Sequence, residues 1–297
     1  MLLKSDEYGK RYLFFSKSTW IHLRIPYSLC LSPVYFFSFS EINSDNNEVK
    51  TFLIFIILHL FLYPASQAYN SYYDNDSQSI GGIEKPPKVS REALLTSYFF
   101  DFLAISLSLL FIGYLFFFAT LICSIISKAY SHPKIRLKKK PLLSWLTVSI
   151  FQGPFIYLSI FFSFSPLSMM ALKQQSLAAL STSFLFGGAY PMTQIFQHKE
   201  DRERGDETLS LKLGIKGTFL FSTLNFIIGS LLLFYYQFTN ENVKVFYYFP
   251  LFMLPTFLYF NYWFLLCSRD ESEANFKNCM RLNIISTLCF CSFFIFI

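Results

Sequence analysis

Long apolar segments recur along this chain, and they constrain its fold more than any other feature. An α-helix of about 20 residues spans roughly the 30 Å of the hydrocarbon core of a bilayer. Nine segments of this kind can be counted between charged or proline-rich stretches. They cover residues 21–40, 51–69, 93–111, 113–130, 142–164, 175–196, 217–237, 245–267 and 278–297. The sequence therefore predicts an all-α, multi-pass integral membrane protein with nine transmembrane helices.

Composition and segment length support this prediction. Only 15% of the residues are charged, whereas a soluble domain carries about 25%. The stretch 91–131 is too long for one ordinary span, so we place a turn at Gly113. The six cysteines have no metal-ligand spacing and are expected to pack as small apolar residues. We expect residues 1–297 to form a single domain, with a short polar N-terminal arm at 1–20 that lacks the features of a cleavable signal.

The positive charges are distributed unevenly between the two sides of the membrane. With nine spans, only Lys50, Lys173 and Lys244 of the 25 lysines and arginines fall on one side. The positive-inside rule makes the other side cytoplasmic, including the N-terminal arm. The net charge of +6 comes from these loops. It fits a protein that contacts anionic membrane lipids rather than nucleic acid.

A first polar segment, residues 70–76, follows the second predicted span. Asn70 and Asp74 are four residues apart, so they share one face if the helix continues into the loop. Asp76 lies just beyond them. The alternative interpretation is a solvated loop next to tyrosines that anchor the protein at the membrane interface.

A second polar segment, residues 197–209, follows the sixth predicted span on the same side. Four acidic residues alternate here with basic ones before Gly205 breaks the run. The acids are Glu200, Asp201, Glu203 and Asp206. The segment could be a charged loop that balances itself with weak ion pairs. Two oxygen-rich segments on one membrane face favour another interpretation, in which they hold Mg²⁺ on a diphosphate, because Mg²⁺ prefers carboxylate and phosphate oxygens.

A basic segment, residues 129–138, lies between the two polar segments on the same face. Lys134, Arg136 and Lys138 could neutralise the charge of a diphosphate leaving group. The alternative role is anchoring to the membrane surface, which we expect for Lys139 and Lys140.

Three ionisable residues fall within predicted spans. Asp101 should face the interior of the helix bundle, where it could line a cavity or make an internal hydrogen bond. Arg24 can extend to the cytoplasmic interface, with substrate binding as a second possible role. His59 is expected to be a core histidine.

Three motifs in this order resemble one known family, the UbiA-type intramembrane prenyltransferases. They are Asn70-x-x-x-Asp74, Tyr130-Ser-x-x-Lys134, and Glu200-Asp201-x-x-x-Gly205-x-x-Thr208-Leu209. The resemblance implies nine helices around a central cavity and two Asp-rich loops that bind Mg²⁺ and an isoprenyl diphosphate. It also implies transfer of the prenyl group to a lipophilic, aromatic acceptor. Gln152-Gly153-Pro154 resembles the quinone-pathway branch of the family that acts on dihydroxynaphthoate.

The resemblance assigns roles to residues of this chain. The Mg²⁺ ligands would be Asn70, Asp74, Asp76, Gln197, Glu200 and Asp201. The substrate-binding residues would be Arg24, Asn70, Tyr130, Lys134, Arg136 and Lys138. Asp74, Asp201 and Lys134 would be the catalytic residues.

The chain departs from the family pattern at three acidic positions. Ser71, Gln78 and Gln197 stand where the family carries acids, although Asp76 could compensate. A weakened family member that binds isoprenoids or partner proteins is therefore the alternative function. An unrelated cation transporter would place its site near the middle of the bilayer, whereas these acids cluster at one face.

Overall fold

The computed structural model describes residues 3–5, 11–13, 15–42 and 48–297. Two short strands, β1 (Leu3–Ser5) and β2 (Arg11–Leu13), pair antiparallel within the predicted N-terminal arm. Residues 1–2, 6–10 and 14 of that arm lie outside the described part. The other secondary-structure elements of the described residues are helices, apart from an isolated β-bridge between Ile80 and Ile83.

Fourteen α-helices follow the strands in the described residues. They are α1 (Lys17–His22), α2 (Ile25–Ser28), α3 (Ser32–Ser40), α4 (Glu48–Ile56), α5 (Tyr63–Asp74), α6 (Arg91–Leu107), α7 (Tyr114–Ser131), α8 (Pro141–Phe151), α9 (Pro154–Phe164), α10 (Met169–Met192), α11 (His198–Arg204), α12 (Leu209–Thr239), α13 (Val245–Arg269) and α14 (Phe276–Phe296). Wider π-helical turns at Ile57–Leu62 and Ser108–Ile112 join α4 to α5 and extend α6.

Seven helical stretches in the described residues are long and apolar enough to cross a membrane. They are Glu48–Asp74, Arg91–Ile112, Tyr114–Ser131, Pro141–Phe164, Leu209–Thr239, Val245–Arg269 and Phe276–Phe296. The all-α membrane architecture predicted from the sequence is therefore confirmed. The predicted number of nine transmembrane helices is not.

The two remaining predicted spans have different structures. The segment 21–40 is interrupted, because Arg24 adopts a left-handed conformation with φ 46° and a 3₁₀ turn follows α2. Pro26 and Pro33 begin new helices there, as expected for a residue without a backbone N–H. The segment 175–196 corresponds to α10, a 24-residue helix whose first turns carry polar side chains such as Lys173.

The predicted turn at Gly113 is confirmed. The helix that begins at Arg91 ends there, and α7 begins at the next residue. Gly113 has φ 133°, a conformation that side chains with a Cβ rarely adopt. The long apolar stretch 91–131 therefore forms two helices.

The chain divides into two compact units. Unit 1 comprises Met1–Leu29 and Val49–Arg136. Its helices α5 and α6 pack closely, with a buried cluster of Leu23, Ala65, Ala68 and Phe100. This packing fixes the end of α5, which carries the first polar segment.

Unit 2 comprises Cys30–Glu48 and Leu137–Ile297. Helices α10 and α12 form its most extensive contact. Ser222 Oγ donates a 2.8 Å hydrogen bond to the Gly188 carbonyl, and a Cβ at Gly188 would lie 2.7 Å from the Phe226 ring. A core of Met192, Ile195, Phe219 and Trp263, with further apolar residues, lies at the end of α10 that leads into the second polar segment.

Gly153 separates α8 from α9 within the fifth predicted span. A Cβ at this position would lie 2.7 Å from the Ser149 carbonyl oxygen and 2.9 Å from that of Thr182 on α10. Pro154 can then begin α9. The Gln152-Gly153-Pro154 motif thus has a packing role in unit 2.

Candidate functional site

The first polar segment extends the helix that precedes it. Helix α5 continues to Asp74 and ends at Asn75, which has φ 49°. Asn70 and Asp74 are therefore one turn apart on the same helix face, as the sequence predicted. Asp76 follows directly after the end of the helix. The segment presents amide and carboxylate oxygens at the end of a membrane-length helix.

Two contacts connect the first polar segment to the end of α7. Ser131 Oγ donates a 2.7 Å hydrogen bond to Asn70 Oδ1. The rings of Tyr73 and His132 lie 5.8 Å apart, measured between centroids. Unit 1 thus brings the start of the basic segment next to Asn70.

Arg24 also binds the end of α5. Its Nη2 donates hydrogen bonds to the Gln67 carbonyl at 2.8 Å and to Ser71 Oγ at 3.2 Å. Its Nη1 donates to the Gly81 carbonyl at 3.2 Å. Ser71 is buried, so one of the three departures from the family pattern forms a structural contact with Arg24. Gln78 is exposed.

The basic segment is divided between the two units. Tyr130, Lys134 and Arg136 belong to unit 1, where the Lys134 side chain is exposed and Tyr130 is half-buried. Lys138 belongs to unit 2, where its Nζ lies 3.8 Å from the carboxylate of Asp206. Lys139 Nζ also lies 3.8 Å from Asp206. Lys134 is therefore open to solvent, whereas Lys138 has an acidic partner.

The second polar segment forms a short helix with buried carboxylates. Helix α11 ends at Gly205, which has φ 67°. Glu200, Asp201 and Asp206 are each less than 10% exposed, at 6%, 3% and 2%. Such burial is costly for charged groups unless they are paired. The pattern of charges in the sequence does not reveal this burial, which arises from the fold of unit 2.

Asp201 receives two polar contacts. Arg204 Nη2 donates to its Oδ1 at 2.9 Å, and Thr208 Oγ1 donates to its Oδ2 at 3.1 Å. Burial raises the pKa of Asp201 to about 6, and the neighbouring charges of Asp206 and Glu200 act in the same direction. The Thr208 hydrogen bond and the charge of Lys138 lower the pKa and partly oppose this shift. Asp201 therefore takes up a proton at a pH closer to neutral than an ordinary aspartate does.

The predicted metal ligands do not form a closed metal site by themselves. Within the described part of the chain, no three or more His, Cys, Asp or Glu side chains are grouped closely enough to hold a metal ion. The buried carboxylates of the second segment contact Arg204 and Lys138 instead. Carboxylate and amide oxygens are nevertheless the donors that suit Mg²⁺, with water and phosphate oxygens completing its coordination. The residues fit Mg²⁺ bound together with a phosphate ligand.

Arg204 and Asp206 take part in this site although the sequence analysis gave them no role in it. The sequence spacing could have indicated the role of Arg204. Arg204 lies three residues after Asp201 and four after Glu200, which places all three side chains on one helix face. Asp206 is the most buried of the three acids. Its contacts to Lys138 and Lys139 depend on the tertiary fold and could not be read from spacing.

Asp101 faces the interior of unit 1 and pairs with Lys128. The Lys128 ammonium also lies 4.7 Å from the centroid of the Tyr69 ring. The prediction that Asp101 points inward is confirmed, but the sequence analysis missed Lys128 as its partner. His59 is fully buried, and its Nδ1 lies 3.0 Å from the Ser28 carbonyl oxygen, as expected for a core histidine.

Unit 2 contains a cavity of about 490 Å³. Helices α3, α10, α12, α13 and α14 line it mainly with apolar side chains, including Phe37, Phe249 and Phe290. Ile227, Leu231 and Phe257 also line it and are more than half exposed, so the cavity opens on a surface that faces lipid. Met192, the last residue of α10, is part of its wall. The cavity is suited to a hydrocarbon chain.

Comparisons with known proteins identify the relatives of this chain. The model of the UbiA prenyltransferase family matches residues 30–285. A UbiA homologue from Archaeoglobus fulgidus bound to GPP and Mg²⁺ has a similar structure, with a TM-score of 0.70, 20% identity, and coverage of 94% of this chain and 98% of that one. The same homologue bound to DMAPP and Mg²⁺ gives a TM-score of 0.69, 20% identity, and coverage of 94% and 98%. A digeranylgeranylglyceryl phosphate synthase structure gives a TM-score of 0.59 and 18% identity, with coverage of 95% of this chain and 99% of that one. No protein of curated function matches the sequence.

Proposed function

The chain belongs to the UbiA prenyltransferase family, and from that premise we propose that it transfers a prenyl group from an isoprenyl diphosphate to a lipophilic acceptor in a Mg²⁺-dependent reaction. The acceptor we propose is aromatic, and the Gln152-Gly153-Pro154 motif favours the branch that acts on dihydroxynaphthoate in quinone synthesis. The archaeal homologue bound to GPP or DMAPP with Mg²⁺ supports the choice of donor and metal.

The observation that carries the proposal is the burial of Glu200 and Asp201 on α11. Both carboxylates are less than 10% exposed although α11 lies outside the apolar spans. A short helix that only connects two spans would leave such charges in water, where they are stable. Buried, clustered carboxylates are instead typical of cation binding and catalysis.

We propose that each polar segment supplies ligands for Mg²⁺ and its bound diphosphate. The ligands would be Asn70, Asp74 and Asp76 from the first segment, and Gln197, Glu200 and Asp201 from the second. Bound Mg²⁺ would polarise the diphosphate and stabilise it as a leaving group. Asp74 and Asp201 would carry most of this binding because each combines a negative charge with a fixed position. Asp74 is the last residue of α5, and Asp201 lies on α11.

The basic residues would bind the diphosphate oxygens as negative charge builds on them. Lys134 is exposed and can reach a substrate from solvent. Arg136 and Lys138 follow it, and Tyr130 precedes it on α7. Arg24 would act at the first segment by holding the end of α5, since its guanidinium already binds Gln67, Ser71 and Gly81.

The apolar cavity of unit 2 would take up the hydrocarbon chain of a lipophilic substrate. Its aromatic walls and its opening toward lipid support this role. A site that excludes water also protects an allylic, cation-like carbon from hydrolysis until the acceptor attacks it. Aromatic faces can stabilise such a positive centre.

We further propose that residues 1–297 form a single prenyltransferase domain with the polar segments on the cytoplasmic face. The family match at residues 30–285 includes parts of both units, which supports a single domain. The excess of lysine and arginine in the loops that carry the polar segments supports the orientation.

A prenylation assay tests the proposed function. The purified protein in lipid nanodiscs is incubated with radiolabelled geranyl or dimethylallyl diphosphate, Mg²⁺ and a panel of aromatic acceptors that includes dihydroxynaphthoate. Labelled lipophilic product that disappears when EDTA is added would support the proposal. Tight diphosphate binding without product for any acceptor would instead identify a weakened, non-catalytic family member. This outcome is worth measuring because Ser71, Gln78 and Gln197 stand where the family carries acids.

A further inference from the structure

The guanidinium of Arg204 lies among all three buried carboxylates of the second polar segment. Its Nη2 is 2.9 Å from Asp201 Oδ1, its Nε is 3.4 Å from Asp206 Oδ2, and its Nη1 is 3.9 Å from Glu200 Oε1. Each of its three nitrogens therefore faces a different carboxylate. The planar guanidinium, with five N–H donors, is suited to this kind of bridging.

The carboxylates of the cluster already face cations. Those of Glu200, Asp201 and Asp206 lie near the charged groups of Arg204, Lys138 and Lys139. A divalent ion added to Glu200 and Asp201 would add two positive charges to a buried site that already holds cations. Excess buried charge is unfavourable, so either a cation must move away or an anion must enter.

Arg204 is the cation placed to move. It is the last residue of α11, and Gly205 follows in a left-handed conformation that ends the helix. Its side chain is 20% exposed, more than any of the three carboxylates it contacts. A long side chain at a helix end can change rotamer without disturbing the core.

We propose that Arg204 is a positioning residue that substitutes for the metal ion: it holds Glu200 and Asp201 together in the metal-free protein and moves to the diphosphate oxygens when Mg²⁺ binds. The inference rests on the proposed function, because it takes Glu200 and Asp201 as Mg²⁺ ligands. In this arrangement Arg204 opposes binding of Mg²⁺ alone and favours binding of Mg²⁺ together with diphosphate. The metal and the substrate would therefore bind cooperatively.

Two binding measurements on Arg204→Gln test this role. The first is titration of the protein in nanodiscs with Mn²⁺, a paramagnetic substitute for Mg²⁺, followed by EPR without substrate. The second is calorimetric titration with geranyl S-thiolodiphosphate, an unreactive donor analogue, at saturating Mg²⁺. Arg202→Gln is the matched control, because Arg202 lies on the same helix with an exposed side chain. Repeating the Mn²⁺ titration in an Asp74→Asn background weakens the contribution of the first segment and so makes the change at the second segment easier to detect.

We expect opposite changes in the two measurements. Arg204→Gln should bind Mn²⁺ alone at least threefold more tightly than the wild type and bind the thiolodiphosphate at least tenfold more weakly. Arg202→Gln should leave both affinities unchanged. Arg204→Lys, which keeps the charge but can bridge fewer carboxylates, should fall between the wild type and Arg204→Gln, and it provides the test if Arg204→Gln does not fold.

Weaker or unchanged Mn²⁺ binding in Arg204→Gln, or in Arg204→Lys where only that variant folds, would overturn the inference. This outcome differs from failure of the Mg²⁺-diphosphate binding that the proposed function requires. If that binding were absent, the wild type would bind neither Mn²⁺ nor the thiolodiphosphate, whereas an error about Arg204 would leave both wild-type affinities intact.

Discussion

Lys128 and Asp101 form an ion pair between α7 and α6 inside unit 1, with the ammonium against the ring of Tyr69. Tyr69 directly precedes Asn70, so the pair supports the helix end that carries the first polar segment. Both side chains are largely buried, at 15% and 7% exposure. Neither charge would be stable at this depth without the other.

Removing one partner of this pair should destabilise the protein more than removing both. Asp101→Asn or Lys128→Met should each lower the free energy of unfolding by about 3–5 kcal/mol, because a single buried charge remains or a polar group loses its partner. The double variant should recover most of this loss. Unfolding by SDS, followed by circular dichroism, measures the three values. Additive losses in the double variant would show that the two side chains do not interact.

The hydrogen bond from Ser131 to Asn70 should orient the amide of Asn70. Ser131→Ala removes the donor to Asn70 Oδ1, which lies 2.7 Å away. A neutral hydrogen bond contributes about 1 kcal/mol, so we expect turnover to fall about five- to tenfold. Ser131→Thr keeps the hydroxyl and should restore most of the rate. Steady-state kinetics at varied Mg²⁺ concentration provides the measurement, and full activity in Ser131→Ala would show that this contact is not needed.

The cavity of unit 2 should influence which substrate chain lengths are used. Ser230 on α12 lines the cavity, and Ser230→Phe would fill part of its volume. We expect a rise in the KM for geranylgeranyl diphosphate relative to dimethylallyl diphosphate, because the longer chain needs more of the cavity. Leu224→Phe is the control, since Leu224 lies on the same helix, is 57% exposed and does not line the cavity. An equal change in KM for both donors would show that the cavity does not bind the hydrocarbon chain of the donor.

The sequence predicted the features that depend on local pattern. Apolar length and charge distribution were sufficient for the all-α membrane fold, and the four-residue spacing of Asn70 and Asp74 predicted their common helix face. The helix break at Gly113 followed from the length of the apolar stretch. Each of these depends on neighbours in sequence, for which helix geometry gives direct rules.

The remaining features depend on contacts between distant residues. Asp201 is buried and paired with Arg204, so an alanine there would remove structural contacts as well as a proposed ligand. The pairing of Asp206 with Lys138, across 68 positions in sequence, likewise required the fold of unit 2.

The most direct test of the account compares Asp74→Asn and Asp201→Asn with Glu203→Gln in the prenylation assay. Asparagine keeps the shape of the side chain and removes its charge, while Glu203 is an exposed acid on the same helix as Asp201. Loss of one charged Mg²⁺ ligand should lower kcat/KM by at least about 100-fold, or about 2.7 kcal/mol. Glu203→Gln should retain wild-type activity. Wild-type activity in either aspartate variant would contradict the assignment of the two polar segments to the catalytic site.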